Sequence, residues 1–457
     1  MIKNRAQLVE NGVDDIFRVL RSDVCDILEA ALESVDPEQA VYKALKRDEG
    51  ELMFEGGSVN LSIINRVFVL GGGKAGGLMA KAVEVVLGDR ITSGSVNVLE
   101  GTEQAVSLKH ISLHGASHPV PSQRGVDGVK RMLDMTRGLS ENDLVIVLIS
   151  GGGSALMPLP AESVTLDDLQ DVTGGLLRAG ATINELNAVR KHLSAFKGGQ
   201  LARHCYPARV ISLILSDVIG DPLDTIASGP TAPDESTYTD ALNVLQKYGI
   251  WDTVPKNIRK RISAGVNDEI PDTPKKDDPI FKQVTNILIA DNPIAAEAAK
   301  TRAEALGYNS LILSTYIEGE ATQVGATLAQ VAKAIINYNE PLERPAAIVI
   351  GGETTVTVRG DGVGGRNQEL ALSASIEIED LPCLVAALGT DGIDGPTVAA
   401  GAVVDGATLG RTKDAGLKPS GYLERNDSYN FFKSLSDAIL TGPTGTNVND
   451  LAIILVR

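Results

Sequence analysis

The chain has 457 residues, too many for one ordinary domain, and its 43% hydrophobic and 22% charged content argues against wholesale disorder. Its 42 Lys and Arg against 59 Asp and Glu give a net charge of −17, which argues against nucleic acid or an anionic membrane as the main partner, because both need a basic footprint. Small anionic ligands stay in play, since a few local cations and backbone N–H groups are enough to hold one.

Residues 1 to 48 read as helical, with Val13, Ile16, Leu20, Val24, Ile27, Leu28 and Ala31 at helical spacing. The opening Met1-Ile2-Lys3-Asn4-Arg5 has no apolar stretch behind it and does not read as a signal peptide. No apolar run reaches the roughly 18 residues a transmembrane helix needs. The apolar strand Val67-Phe68-Val69-Leu70 runs into Gly71-Gly72-Gly73, and a helix is expected from about Ala75 to Leu87. Ser95 to Leu99 and Leu108 to Leu113 are weaker strands, and Gln123 to Gly138 reads as a helix. Leu144 to Ile149 is wholly apolar, as a parallel strand covered on both faces would be, and meets Ser150-Gly151-Gly152-Gly153-Ser154. Helices are expected over Leu166 to Gly180 and Asn184 to His204, then a buried strand from Val210 to Leu215.

The polar, proline-bearing stretch Pro271 to Pro279 marks a domain boundary, giving a first domain over 1–275 and a second over 280–457. Beyond it, strands are expected at Val284–Ala290, Leu311–Ser314, Ala347–Ile350, Thr354–Val358 and Leu384–Leu388, with helices over Pro293–Leu306 and Glu320–Asn337. Strands alternating with helices predict an α/β doubly wound sheet followed by a second α/β domain. Cys25, Cys205 and Cys383 are odd in number and far apart, which suits neither a disulfide framework nor a zinc site and points to a reducing, cytoplasmic setting.

The chemistry-bearing residues sit where strands are expected to end. Gly71-Gly72-Gly73-Lys74-Ala75-Gly76 matches G-x-G-x-x-G, with Glu100 placed to meet a ribose hydroxyl, so a dinucleotide site is one reading. Lys74 inside the turn favours another, an anion cradle made by a helix N-terminus and an ammonium. The loop from Ser150 to Ser154 suits an anion in the same way, through bared N–H groups and two hydroxyls. In Ser216-Asp217-Val218 a carboxylate just past a buried strand is placed to accept a proton or help hold Mg²⁺. Gly351-Gly352-Glu353 and Gly364-Gly365-Arg366-Asn367-Gln368-Glu369 add an acid and a planar guanidinium fork. Gly389-Thr390-Asp391-Gly392-Ile393-Asp394 and Thr441 to Asp450 are further polar turns. A cleft between two domains, binding a polyanion, accounts for all of them at once. Arg190 and Lys191 read as a solvated pair on a helix. His114 and His118 have the i, i+4 spacing of a metal pair, but Gly115 and Pro119 speak against the helix such a pair needs.

In their order along the chain these segments, together with His118-Pro119-Val120-Pro121, the run Gly180 to Ser194, Lys197-Gly198-Gly199 and Asn426-Asp427-Ser428, resemble the glycerate 2-kinase family with a MOFRL domain. The resemblance implies ATP-dependent phosphorylation of D-glycerate at O2, with Mg²⁺ or another divalent cation and ATP as co-substrate. It implies a Rossmann-like N-terminal domain and a smaller α/β MOFRL-type domain around a cleft. It places catalytic roles on Lys74, Asp217 and Arg366. Nucleotide and anion contacts are expected from Gly72, Gly73, Ser150, Gly152, Gly153, Ser154, Glu353 and Asn367, and metal contacts from Asp217 and Asp391. Ser122 and Val398 depart from the family pattern, which usually has Asp at both places. The alternatives are an NAD(P)H-dependent hydroxypyruvate reductase and a non-catalytic nucleotide sensor. Expected partners are the two small substrates, with a homo-oligomer left open.

Overall fold

The computed structural model describes residues 1–457, which divide into two compact units, Pro37–Ile289 and Met1–Asp36 with Ala290–Arg457. Both are α/β. No helix is long and apolar enough to cross a membrane, and all three cysteines are free and buried.

The first unit opens with an antiparallel meander of β1 (Leu45–Asp48), β2 (Glu51–Phe54) and β3 (Gly57–Asn60). Its main sheet holds β4 (Arg66–Gly72), β5 (Ile91–Leu99), β6 (Ile111–Ala116), β7 (Asp143–Ile149), β8 (Arg209–Leu215) and β9 (Val284–Ala290), in the order β6-β5-β4-β7-β8-β9. The pairs β4/β5, β5/β6, β4/β7 and β7/β8 are all parallel. Every residue of β7 is buried, which is why its sequence from Leu144 to Ile149 is an unbroken apolar run rather than an alternating one. The chain builds outward from β4 to β6, then returns to β7 and builds the other way. The order therefore reverses between β4 and β7, where an open α/β sheet leaves a crevice at the strands' carboxyl ends. Gly72 pairs with Ile149 there, so the two glycine turns leave the sheet side by side.

The second unit has a mixed sheet of β10 (Asn309–Glu320), β11 (Ala346–Thr355), β12 (Cys383–Gly389), β13 (Gly401–Asp405), β14 (Ala438–Ile439) and β15 (Asp450–Val456). The order is β10-β11-β15-β12-β13-β14, with β10/β11 parallel and the other pairs antiparallel. Its core is aliphatic apart from Phe431 and Phe432.

The units divide elsewhere than at the proline-bearing stretch. The first 36 residues, read above as the start of the N-terminal domain, pack with the C-terminal sheet. Arg21 on the helix Asp15–Ser34 is fully buried and donates Nε to Asp405 at 2.5 Å and a terminal nitrogen to Asp437 at 2.7 Å. The stretch around Pro274 stays with the first unit, where Asp234 donates its backbone N–H to the Pro274 carbonyl and Asp272 holds His192.

Three local expectations also change. Thr354–Val358 is no separate strand, because β11 runs unbroken from Ala346 to Thr355. Asn184 to His204 is two helices, Ile183–His192 and Gln200–Cys205. The first helix ends at His192, and the second starts after Gly198 and Gly199, whose φ values of 57° and 77° lie in the left-handed region. Finally, the Gly364–Glu369 motif, read as a turn, starts a helix over Arg366–Glu377.

Candidate active site

The two glycine turns of the first unit are tied together. Lys74 N–H donates to the Gly151 carbonyl at 2.9 Å, and Ala75 N–H donates to Ser150 Oγ at 3.1 Å. Ser150 is thereby a buried strut between the turns. Gly72 and Gly73 are equally interior: a Cβ on Gly72 would meet the Asn97 carbonyl at 2.8 Å, and one on Gly73 would meet Ser150 Oγ at 2.1 Å. Gly152 has φ 78° and starts the short helix Gly153–Leu156, so a residue free to adopt left-handed backbone is needed there. A Cβ on Gly152 would lie 3.1 Å from the His118 ring and 3.3 Å from the Lys74 stem, which places both side chains over this turn. Asp217, just past β8, comes to the same place from the third strand: a Cβ on Gly151 would meet its Oδ2 at 2.2 Å.

These residues edge a cavity of about 300 Å³, whose lining includes Gly152, Gly153, Ser154, Arg190, Lys197 and Asp217. Of the first-unit residues expected at a site, Gly152, Gly153, Ser154 and Asp217 line it, Lys74 lies over its Gly152 wall, and Gly72, Gly73 and Ser150 form the frame behind.

Two cations in the lining change their reading. Lys191 is the buried, paired member of its run, bonded to Asp224 at 2.9 Å and Asp234 at 3.3 Å, and His192 beside it holds Asp272. Arg190 instead lines the cavity, half-buried, where burial lowers its pKa and no acid offsets the loss of water. Lys197 appeared in the sequence only within a motif. It lies in the segment between the two helices, and its ammonium donates to the Ser154 carbonyl at 2.6 Å and to Ser154 Oγ at 3.2 Å in the cavity wall. Burial, with Arg190 nearby, pushes the Lys197 ammonium down to about 7. The signal available in the sequence was a lysine directly before Gly-Gly, a pair that interrupts a helical pattern.

Ser154 continues the network. Its hydroxyl meets Ser228 Oγ at 3.0 Å, and Ser228 Oγ donates to Asn187 Oδ1 at 3.0 Å. Ala227 and Ser228 have φ values of 50° and 61°, a strained conformation for residues with a Cβ. The contacts of Ser228 with Ser154 and Asn187 help sustain that conformation. His118 is shifted toward its neutral form, first by burial and then by Lys74. Glu100, the ribose partner of the dinucleotide reading, is paired with Arg124 at 2.5 Å.

The second-unit residues gather at a separate cluster. Arg366 presents Nε and a terminal nitrogen to Asp450, at 2.5 and 3.0 Å, and its other terminal nitrogen to Glu353 at 2.6 Å. Burial works against its charge, but these carboxylates outweigh that and raise its pKa. Asn367 is buried with its amide on Asp394 at 3.3 Å. Asp394 caps the helix by accepting from the backbone N–H groups of Asn367 and Gln368 at 3.1 and 2.9 Å. The acidic turn therefore holds the arginine-bearing helix in place. Asp391 is half-buried and accepts from Ile393 N–H at 3.0 Å through one oxygen. No group of three or more His, Cys, Asp or Glu is gathered as a metal cage. His114 accordingly meets Arg131 at 2.9 Å rather than His118.

Comparison with known proteins places this geometry. Residues 23–263 match a domain of unknown function, DUF4147, and residues 346–450 match the MOFRL family. The chain is 42% identical to the D-glycerate 2-kinase of Thermotoga maritima over 96% of its own length and 98% of that protein's. The crystal structure of glycerate kinase from Thermotoga maritima superposes with a TM-score of 0.86 at 41% identity, covering 96% of this chain and all of that one. A putative hydroxypyruvate reductase of Agrobacterium vitis is 40% identical over 94% of this chain and 93% of its own.

Proposed function

The chain belongs to the glycerate 2-kinase family with a MOFRL domain, and we propose that it transfers the terminal phosphoryl group of ATP to O2 of D-glycerate, giving 2-phosphoglycerate. The observation that carries this is the 42% identity to a D-glycerate 2-kinase across 96% of the chain, combined with a cavity beside which the Lys74 turn, Ser154 and Asp217 meet. We also read the order β6-β5-β4-β7-β8-β9 as a Rossmann-like, doubly wound arrangement.

Phosphoryl transfer asks a protein mainly for positioning and charge stabilisation. Lys74 is the cation for the transferring group, because its side chain crosses the Gly152 turn while the bond that holds the turn runs through its backbone N–H. Ser154 and the turn amides cradle anionic oxygen. Asp217 serves the acceptor hydroxyl, taking its proton as the O–P bond forms, or holds the cation that accompanies ATP. Mg²⁺ keeps several waters and needs only one or two carboxylates beside the phosphates, so a half-buried aspartate fits it without a full cage. When bound, the ion would neutralise phosphate charge. In the second unit, Arg366 keeps one N–H on each terminal nitrogen beyond those held by Asp450 and Glu353, and we assign these to phosphate oxygen.

The direct test is purified protein with D-glycerate, ATP and Mg²⁺, read as ADP release and as the phosphorus resonance of the product. Glycerate-dependent ADP release with 2-phosphoglycerate formed is the expected result. NADH oxidation with hydroxypyruvate and no ADP release would give the chain to the reductase reading instead.

A pH effect follows from Lys197. Its ammonium is charged below about 7 and neutral above, whereas an anion in the cavity favours the charged form. Among the other groups lining the cavity, burial and then Lys74 shift His118 toward its neutral form, and Arg190 stays protonated. D-Glycerate affinity should therefore fall as pH rises from 6 to 9, and binding at pH 8 should take up a proton. Calorimetry in buffers of different ionisation enthalpy measures that uptake. Equal heats in all buffers at pH 8 would show that Lys197 does not change its protonation on binding.

A further inference from the structure

We propose that Arg190, with Lys197 beside it, grips the carboxylate of the acceptor substrate, Arg190 through its planar fork and Lys197 as the charge at the cavity wall. This rests on the glycerate reading above and specifies which end of that substrate the cavity holds.

Three observations carry it. First, Arg190 lines the cavity and is half-buried with no carboxylate compensating it; burial alone governs its pKa. A guanidinium withdrawn from water without an acid partner is costly to keep. Its neighbours Lys191 and His192, in the same run, are both matched with aspartates. An unmatched cation beside two matched ones leaves a place for an acid that comes with the ligand. Second, Lys197 is 5% exposed, and its bonds go to neutral oxygens of Ser154 rather than to an acid. Asp217 is thus faced by two cations in the lining, so the cavity attracts anions although the whole chain carries −17. Third, the other arginine suited to a carboxylate already holds one. The Nε face of Arg366 is closed by both oxygens of Asp450, so a second bidentate pair there would have to displace a buried acid.

The test compares Arg190→Gln and Arg190→Lys with the wild type, using D-glycerate, its neutral amide D-glyceramide, and ATP. A charge-assisted, two-point contact predicts a rise in KM for D-glycerate of about 10- to 100-fold in Arg190→Gln. KM for ATP should stay within about twofold, as expected where no ATP contact is removed. The preference for the acid over the amide, taken as the ratio of kcat/KM values, should collapse by the same factor as the KM rise. Arg190→Lys keeps the charge without the fork and should fall between. Because Arg190 has no structural partner, the ligand-free melting temperature of Arg190→Gln should equal or exceed that of the wild type. A purely structural arginine would lower it.

An unchanged D-glycerate KM, an equal loss with acid and amide, or a rise confined to ATP would each overturn the proposal. So would collapse of both variants in ligand-free form, which would make Arg190 a structural residue. Wild-type protein without glycerate-dependent ADP release would fail the kinase reading itself. That control is scored before any variant is made.

Discussion

Lys74→Ala is expected to lower kcat by at least about 100-fold, the loss typical when one preorganised charge-stabilising donor is removed, while folding stability stays within about 0.5 kcal/mol of the wild type. The two halves of this expectation have separate structural grounds. The Lys74 side chain is exposed, and the bond that holds the turn runs from its backbone N–H to the Gly151 carbonyl. Alanine keeps that bond. What alanine removes is an ammonium over the Gly152 turn, where only the reacting phosphates call for positive charge. His118 supplies an internal check. Its pKa is lowered by burial and secondarily by Lys74, so the imidazole of Lys74→Ala should titrate at higher pH. Proton NMR measures that shift without any substrate. A raised His118 pKa with near-normal kcat would keep Lys74 where the structure puts it but remove it from the chemistry.

The sequence was most legible where the physics is local. Parallel strands covered on both faces are wholly apolar, so β4, β7 and β8 announced themselves as Val67–Leu70, Leu144–Ile149 and Val210–Leu215. Strand carboxyl ends are where ligands sit in such sheets, so Lys74, Ser154 and Asp217 could be singled out from strand ends and turn residues. Lys197 was hidden for the opposite reason. Its place in the cavity depends on the segment between His192 and Gln200, which interrupts a helical pattern otherwise read from Asn184 to His204. Arg190 and Lys191 are adjacent and chemically alike. Their separation into a cavity-lining and a paired residue depends on Asp224 and Asp234, which lie in a loop distant in sequence.

The acidic turn of the second unit shows a third kind of limit. Asp391 and Asp394 belong to one motif, yet Asp394 is a buried helix cap and Asp391 is half-buried with one oxygen on a nearby N–H. Composition marks such a turn as polar but cannot divide the work within it. The same holds for Asn367, read as a nucleotide contact and found facing Asp394.

The N-terminal segment gives the largest stability effect. Arg21 sits on an amphipathic helix that the periodicity found, but its partners Asp405 and Asp437 lie 384 and 416 residues away in sequence. No local pattern reports such a pairing. Burial works against the charge of Arg21, yet the two aspartates outweigh it and raise its pKa. Asp437 has a second cation in Arg411 at 2.8 Å. Asp405 otherwise meets only the Ala407 N–H at 3.0 Å and the Thr408 hydroxyl at 3.2 Å. Arg21→Ala therefore leaves Asp405 as a buried, uncompensated carboxylate, and should destabilise its unit by about 3–5 kcal/mol. Chemical unfolding should show this as a shift confined to the transition of Met1–Asp36 with Ala290–Arg457, because every partner of Arg21 lies in that unit. A further result separates lost charge pairing from lost packing. The double variant Arg21→Ala with Asp405→Asn should recover much of the loss, because no charged carboxylate is then left buried without its cation. Equal stability of the single and double variants would mean that the aliphatic stem of Arg21, not its charge, fastens the N-terminal helix to the C-terminal sheet.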